Sequence, residues 1–153
     1  GISFASGWHA RDFLLAPQNY ANNKAVMFEH IEMVRKLWRG EKCTFKDGKG
    51  EDATVGILPL PIQRELPVWV TAAGNPETFR MAGERGYNML THLLGQKFEE
   101  VAEKIAIYRK ARKDAGFDPA TGRVTLMLHT FVGANRDEVR DKVRGPFIEY
   151  LKT

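Results

Sequence analysis

The sequence has a single cysteine, Cys43, among 153 residues. That excludes an intramolecular disulfide and a multi-cysteine metal cluster, and it fits a reducing, cytoplasmic setting. No apolar run approaches the roughly 18 residues of a membrane span, and no secretory leader is read at the start. The glycine fingerprints G-x-G-x-x-G and G-x-x-x-x-G-K-[ST] are both missing, so dinucleotide-fold and P-loop readings lose their main support. G-x-S-x-G is missing as well, which argues against a nucleophilic hydrolase. No run of five like charges occurs, although 23 basic residues outweigh 19 acidic ones for a net charge of +4. The two signs are interspersed along the predicted helices, so the excess reads as solvated helix surface and no nucleic-acid partner is expected. Glu100 and Lys104 have the i,i+4 spacing that supports such a surface.

What is present is ordinary globular composition, 43% hydrophobic and 27% charged, which suits one domain over residues 1–153. Gly, Pro and Asn punctuate it into repeated strand–helix units. A first strand is predicted at about Ile2–Ala5, so that the sequence opens inside a strand. The loop Ser6-Gly7-Trp8-His9 and a polar stretch to Asn22 follow. From Asn23, Met27, Ile31, Val34 and Trp38 recur at helical spacing, and Gly40 marks the stop. Residues 42–61 depart from the pattern. They read as a hairpin around Lys46–Gly50, followed by an extended Pro59-Leu60-Pro61 connector.

Pro67–Ala72 is a continuous apolar run, expected of a strand buried on both faces. A helix to about Arg85 comes next, then a short strand Tyr87–His92. A long helix from Phe98 to Ala115 places Phe98, Val101, Ile105, Tyr108 and Arg112 on one face. A fourth strand is predicted over Arg123–Val132, and Asn135 with Glu138 forms a capping-box pattern opening a last helix. Strands alternating with helices imply a parallel sheet with right-handed crossovers. The architecture is then either a small open α/β sheet or about four units of a (β/α)8 barrel, whose complete form needs about 250 residues.

In both cases function belongs at the carboxyl ends of the strands. Gly74 allows close backbone approach and unusual φ there, Asn75 is a good N-cap, and Pro76 suits the first helical position. The helix start they form is a ready anion site, or simply a well-capped helix whose dipole Glu77 satisfies. Ser6, Gly7 and Trp8 suit a flat aromatic ligand, unless Trp8 packs beneath a helix. His92 and His129 each fall near the end of an apolar strand, where an imidazole serves as acid, base or donor, although a lone strand histidine is more often structural. Neither lies in a metal-ligand spacing, so no metal is expected.

The stretches Ile2–His9, Glu29–Trp38, Leu66–Thr78, Leu90–Gln96 and Val124–Val132 together resemble the bacterial luciferase-like flavin monooxygenases. The later ones look most like the subgroup found beside polyketide and nonribosomal-peptide machinery. The resemblance runs from end to end and implies strands four to seven of a (β/α)8 barrel. It also implies reduced FMN, or F420 in some branches, bound at the carboxyl face. A separate flavin reductase would supply the flavin, and O2 would oxygenate a small organic or carrier-bound substrate. By this resemblance Ala5, Ser6 and Gly7 approach the flavin with Trp8 beside them, and Ala73, Gly74, Asn75 and Thr78 receive its ribityl phosphate. His92 is the first and His129 the second catalytic candidate. In light-emitting members an arginine stands where this chain has Ser6. Here the phosphate would depend on backbone N–H groups, Thr78, or a basic residue elsewhere such as Arg11. A four-unit piece leaves two edge strands, so self-association or pairing with the rest of the barrel is expected. The alternatives are an F420-dependent hydride-transfer relative and a catalytically silent module of a biosynthetic assembly.

Overall fold

In the computed structural model, which describes residues 1–152, four strands lie side by side in chain order and all run parallel. They are β1 (Ile2–Phe4), β4 (Val68–Thr71), β5 (Asn88–His92) and β6 (Val124–Met127). The register pairs Ile2 with Val68, Trp69 with Asn88, Met89 with Val124 and His92 with Met127. The intervening helices are α1 (Asn23–Trp38), α2 (Pro76–Glu84) and α3 (Phe98–Asp114), and α4 (Arg136–Leu151) follows the last strand. Between α1 and β4, β2 (Cys43–Lys46) and β3 (Asp52–Val55) form a separate antiparallel pair. Two short 3-10 turns, Ala10–Phe13 and Pro17–Asn19, occupy the polar stretch before α1.

Partners across a parallel ladder project to the same face, so the register sorts the side chains. Val68, Val70 and Met89 turn to one face and are buried against Met27, Phe28 and Ile31 of α1, Phe79 and Ala82 of α2, and Tyr108 of α3. Phe4 and Val124 pack at the rim of this cluster. Parallel strands taken in sequence, with right-handed crossovers, require the helices to share one face in this way. Gly83 makes the α2–α3 approach possible: a Cβ there would lie 2.6 Å from the Tyr108 carbonyl oxygen.

The opposite face is polar and half-open. Ser3 and Thr71 hydroxyls meet at 2.6 Å, and the Trp69 indole donates to Thr125 Oγ1 at 3.1 Å. Consequently β4 is not buried on both faces: Val68 and Val70 are covered while Trp69 and Thr71 remain partly accessible. Its apolar run reflects a tryptophan whose polar edge is needed on the second face.

Three further expectations are corrected by packing. Phe98 stands at the exposed start of α3, 68% accessible, and the buried stripe is Val101, Tyr108, Ala111 and Arg112. Glu100 accepts from its own helix start (Lys97 N–H, 2.9 Å) while Lys104 reaches Gln96, so the surface pair between them does not form. At α4, Asn135 accepts from the N–H groups of Asp137 and Glu138, the simple cap without the return bond of a capping box. No helix among the described residues is long and apolar enough to cross a membrane.

Candidate functional site

Because all four strands are parallel, the loops after β1, β4, β5 and β6 emerge at one edge. The first is built around a carboxylate. Asp12 accepts from the backbone N–H of Trp8 at 2.7 Å and of His9 at 2.9 Å, and those two bonds, Trp8 first, hold its pKa below the usual carboxylate range. Gly7 reverses the chain at φ +87°, with the Phe13 ring where a Cβ would stand, 2.6 Å from Cζ. Thus the ladder ends and Trp8 is turned outward, 81% accessible, its ring stacked on His9 at 5.0 Å. It does not pack beneath a helix.

The second loop opens α2. Asn75 Oδ1 accepts from the Glu77 N–H at 2.9 Å and Pro76 takes the first helical position, which is the local capping chemistry read from the sequence. Thr78 follows one turn in and is 4% accessible. Gly74 does not have the unusual backbone expected of it. Its φ is not among the positive values, and nothing stands within 4 Å of a Cβ placed there. Its smallness leaves space rather than allowing a strained turn.

The third loop fixes an imidazole. Leu94 N–H donates to His92 Nδ1 at 3.1 Å, so the neutral ring carries its proton on Nε2. Gln96 anchors the same loop, donating through Nε2 to the His92 carbonyl and to Thr91 Oγ1, while Lys104 Nζ donates to Gln96 Oε1 at 2.7 Å.

These three loops surround one cleft of about 700 Å3. Ala5, Ser6, Gly7, Trp8, Ala73, Gly74, Asn75 and Thr78 all line it, and so does His92. Side chains not singled out in the sequence join them, among them Asp12, Thr71, Leu94 and Lys24 in the first turn of α1. Lys24 gave no local signal, because only the packing of α1 brings its stem to the edge. Arg11, the basic residue considered for the phosphate, instead lines a separate hollow with His9, Ala10 and Asp12.

His129 is not part of this cleft, nor on a strand. The fourth strand stops at Met127, opposite His92, because β5 offers no partner beyond that residue. His129 therefore lies in the irregular segment that follows, exposed, with its ring 5.4 Å from Phe147 and 5.0 Å from Tyr150 of α4. Among the described residues no group of three or more His, Cys, Asp or Glu side chains is placed to hold a metal ion.

Parallel strands in chain order, α1, α2 and α3 on one face and a carboxyl-edge cleft walled by small residues and an indole define an α/β fold with an open cleft at the strand ends. The chain belongs to the luciferase-like monooxygenase family, whose profile matches residues 1–152. Among solved structures it is similar to the monooxygenase RslO1 from Streptomyces bottropensis (TM-score 0.75, 23% identity), covering 99% of this chain and 46% of that one. It is also similar to the oxygenating constituent of 3,6-diketocamphane monooxygenase from Pseudomonas putida, a type II Baeyer–Villiger enzyme solved with FMN (TM-score 0.65, 19% identity; 93% and 42% covered). An F420-dependent secondary alcohol dehydrogenase, solved with an F420–acetone adduct, matches comparably (TM-score 0.64, 19% identity; 94% and 44% covered). The chain thus spans a little under half the length of these structures, and at such identities the likeness is one of fold. No curated protein matches it significantly.

Proposed function

We propose that this chain is the flavin-binding portion, units four to seven, of a (β/α)8 barrel, with residues 42–61 as an insertion between the first two of those units. The complete barrel then acts as a monooxygenase using reduced FMN and O2 on a small organic or carrier-bound substrate. The observation that carries this reading is the convergence of the β1, β4 and β5 loops on a single cleft holding an exposed indole, small-residue walls and one oriented imidazole.

The residues fit such a group. Gly74 and Gly95 both leave open space where a Cβ would stand, and the cleft volume of about 700 Å3 suits a flavin-sized ligand. A reduced flavin supplies the electrons with which O2 is activated. The protein's part is then to bind, orient and exclude water. Trp8 offers an aromatic face for a ring system. Ala5, Ser6, Gly7 and Ala73 let the backbone come close. His92, its Nδ1 already accepting from Leu94, would offer its Nε2–H as a hydrogen-bond donor to a ligand oxygen in the cleft. The free edges at β1 and β6 are to be met by the remaining strands of the barrel or by a second copy, and a separate reductase would deliver the flavin.

A second reading, F420-dependent hydride transfer, is favoured by the comparable likeness to the alcohol dehydrogenase. Parallel anaerobic binding measurements with reduced FMN and reduced F420, followed by admission of O2 to an oxygen electrode, separate the two. Saturable FMN binding with protein-dependent O2 uptake is the expected result. Binding of F420 alone, without O2 uptake, would establish the second reading. Binding of neither, by the complete barrel, would leave a silent module.

A further inference from the structure

His92 is held from behind the sheet as well as within its own turn. Thr91 and His92 are consecutive on β5, so their side chains leave opposite faces. Thr91 joins the buried side, 1% accessible, while His92 lines the cleft. Past the strand end the Gln96 N–H donates to the Leu93 carbonyl at 3.4 Å, and Gly95 turns the chain at φ +70°. This turn, of a kind that favours glycine at its third position, brings the Gln96 amide back over the end of β5. There its Nε2 donates both to the His92 carbonyl and to Thr91 Oγ1, the latter at 3.2 Å.

The amide has one workable orientation. An ammonium can only donate and a carbonyl can only accept, so Oε1 faces Lys104 and Nε2 faces the strand end. Lys104 Nζ lies 2.7 Å from that oxygen, in the second turn of α3. A charge on the acceptor end of an amide strengthens its N–H donors, so the bond from Lys104 tightens the one to His92. The other charges beside this ammonium are Glu100 and Glu103 of its own helix, and Glu100 is taken up by the Lys97 N–H at 2.9 Å. Neither Gln96 nor Lys104 lines the cleft. Both line a neighbouring hollow of about 390 Å3 beside the starts of α2 and α3, so whatever they do for a ligand passes through His92.

We propose that Gln96 and Lys104 are positioning residues that set which nitrogen of His92 carries the proton. The Leu94 N–H meets Nδ1 only while residues 92–96 keep this turn, and the Gln96 bridge, charged from α3, ties the turn to the strand. With the bridge cut the turn loosens, Nδ1 loses its donor and the ring exchanges tautomers. The consequence for turnover rests on the reading of His92 as a donor to the flavin-bound ligand, whereas the tautomer itself does not.

The test follows isotope-labelled histidine by NMR in this chain, at about pH 8.5, where an ordinary imidazole is neutral. His92→Gln identifies the signals. Gln96→Glu keeps the side-chain length and still accepts from Lys104, but its carboxylate has no hydrogen to give the His92 carbonyl. In the wild type the His92 nitrogens are expected to report one tautomer, protonated at Nε2. In Gln96→Glu they should move toward the averaged values of the exposed His30, and the Leu94 N–H should exchange with solvent about tenfold faster. Lys104→Met should give a smaller change of the same kind, about threefold in exchange, which Lys104→Arg reverses. Lys104 is partly open to solvent, so this pair keeps the test decisive should Gln96→Glu unfold. Turnover of the complete enzyme should fall as the tautomers mix, with flavin affinity within about twofold of the wild type. Unchanged His92 signals and Leu94 exchange in Gln96→Glu overturn the proposal, as does a Lys104→Met effect that Lys104→Arg fails to reverse. Mixed tautomers in an enzyme without flavin-dependent turnover support the positioning role and remove the flavin reading.

Discussion

The backbone N–H of Leu94 donates to the Nδ1 atom of His92 at 3.1 Å, two residues away in the turn that leaves β5. This contact fixes both the ring orientation and the tautomer, leaving Nε2–H free for the cleft. Replacing His92 by Ala in the complete enzyme is expected to change flavin affinity by less than about threefold, while slowing turnover by about a hundredfold or more. Stopped-flow turnover and equilibrium titration on the same preparations supply the two numbers. Equal losses in both would mean that the ring is structural.

Two glycines on the cleft respond oppositely to a methyl group. Gly7 has φ +87° and a Phe13 carbon 2.6 Å from the Cβ position, so Gly7→Ala is expected to destabilise the fold by about 1–2 kcal/mol and to displace Trp8. Gly74 has open space at the same point, so Gly74→Ala should leave stability unchanged or slightly higher. Its methyl group instead projects into the ligand space and weakens binding. Chemical denaturation and ligand titration of the pair check this, and a destabilised Gly74→Ala would contradict the description of that loop.

Behind the sheet, Tyr87 donates its hydroxyl to Glu32 Oε1, with Arg35 at 3.1 Å from the same oxygen. Burial first, then the Glu32 carboxylate, pushes the Tyr87 hydroxyl from 10.0 up to about 12. A raised pKa gives stability that is complete below pH 10 and lost as the pH rises toward 12. Burial would raise Glu32 too, but the Tyr87 hydrogen bond and the Arg35 charge outweigh it and hold the carboxyl below 4.5. Its contribution is present above pH 4.5 and lost as the acid form appears below that. Tyr87→Phe should therefore flatten both limbs of the stability–pH curve, the alkaline one by at most about 2 kcal/mol. Tyr108, which burial also raises, leaves part of the alkaline limb in place. Identical pH profiles for wild type and variant would contradict the pairing.

Arg112 is 5% accessible and, among the described residues, has no carboxylate partner. Its guanidinium donates to the Tyr87 carbonyl at 3.3 Å, the Asp118 carbonyl at 3.3 Å and Thr121 Oγ1 at 3.1 Å, tying the segment before β6 to α3. Arg112→Met keeps much of the volume and removes the donors, and is expected to cost about 2–3 kcal/mol. Hydrogen exchange should show the loss concentrated in residues 117–123. A uniform loss across the sheet would instead point to general core damage.

How far the sequence could be read depended on the range of the forces involved. The start of α2 was legible because Asn75, Pro76 and Glu77 settle it among themselves. The order of strands and helices was legible because hydrophobic spacing is local. The extent of β6 was not, since a strand continues only as far as its neighbour, and β5 ends at His92. That error placed His129 on a strand, whereas it lies against Phe147 and Tyr150. Lys104 was assigned to Glu100 by spacing, but a Gln96 oxygen brought over by the β5 loop took the ammonium. Lys24 gave no signal for the same reason, since only the packing of α1 brings it to the cleft.

The most direct test of the account is an anaerobic titration of this chain with reduced FMN, followed by tryptophan fluorescence and repeated with Trp8→Phe. Trp8 is the exposed indole on the cleft, while Trp38 and Trp69 are partly covered and bonded to Gln63 and Thr125. The account predicts saturable quenching at micromolar flavin that the substitution largely removes. Absence of saturation, or quenching that is the same in Trp8→Phe, would contradict flavin binding in this cleft.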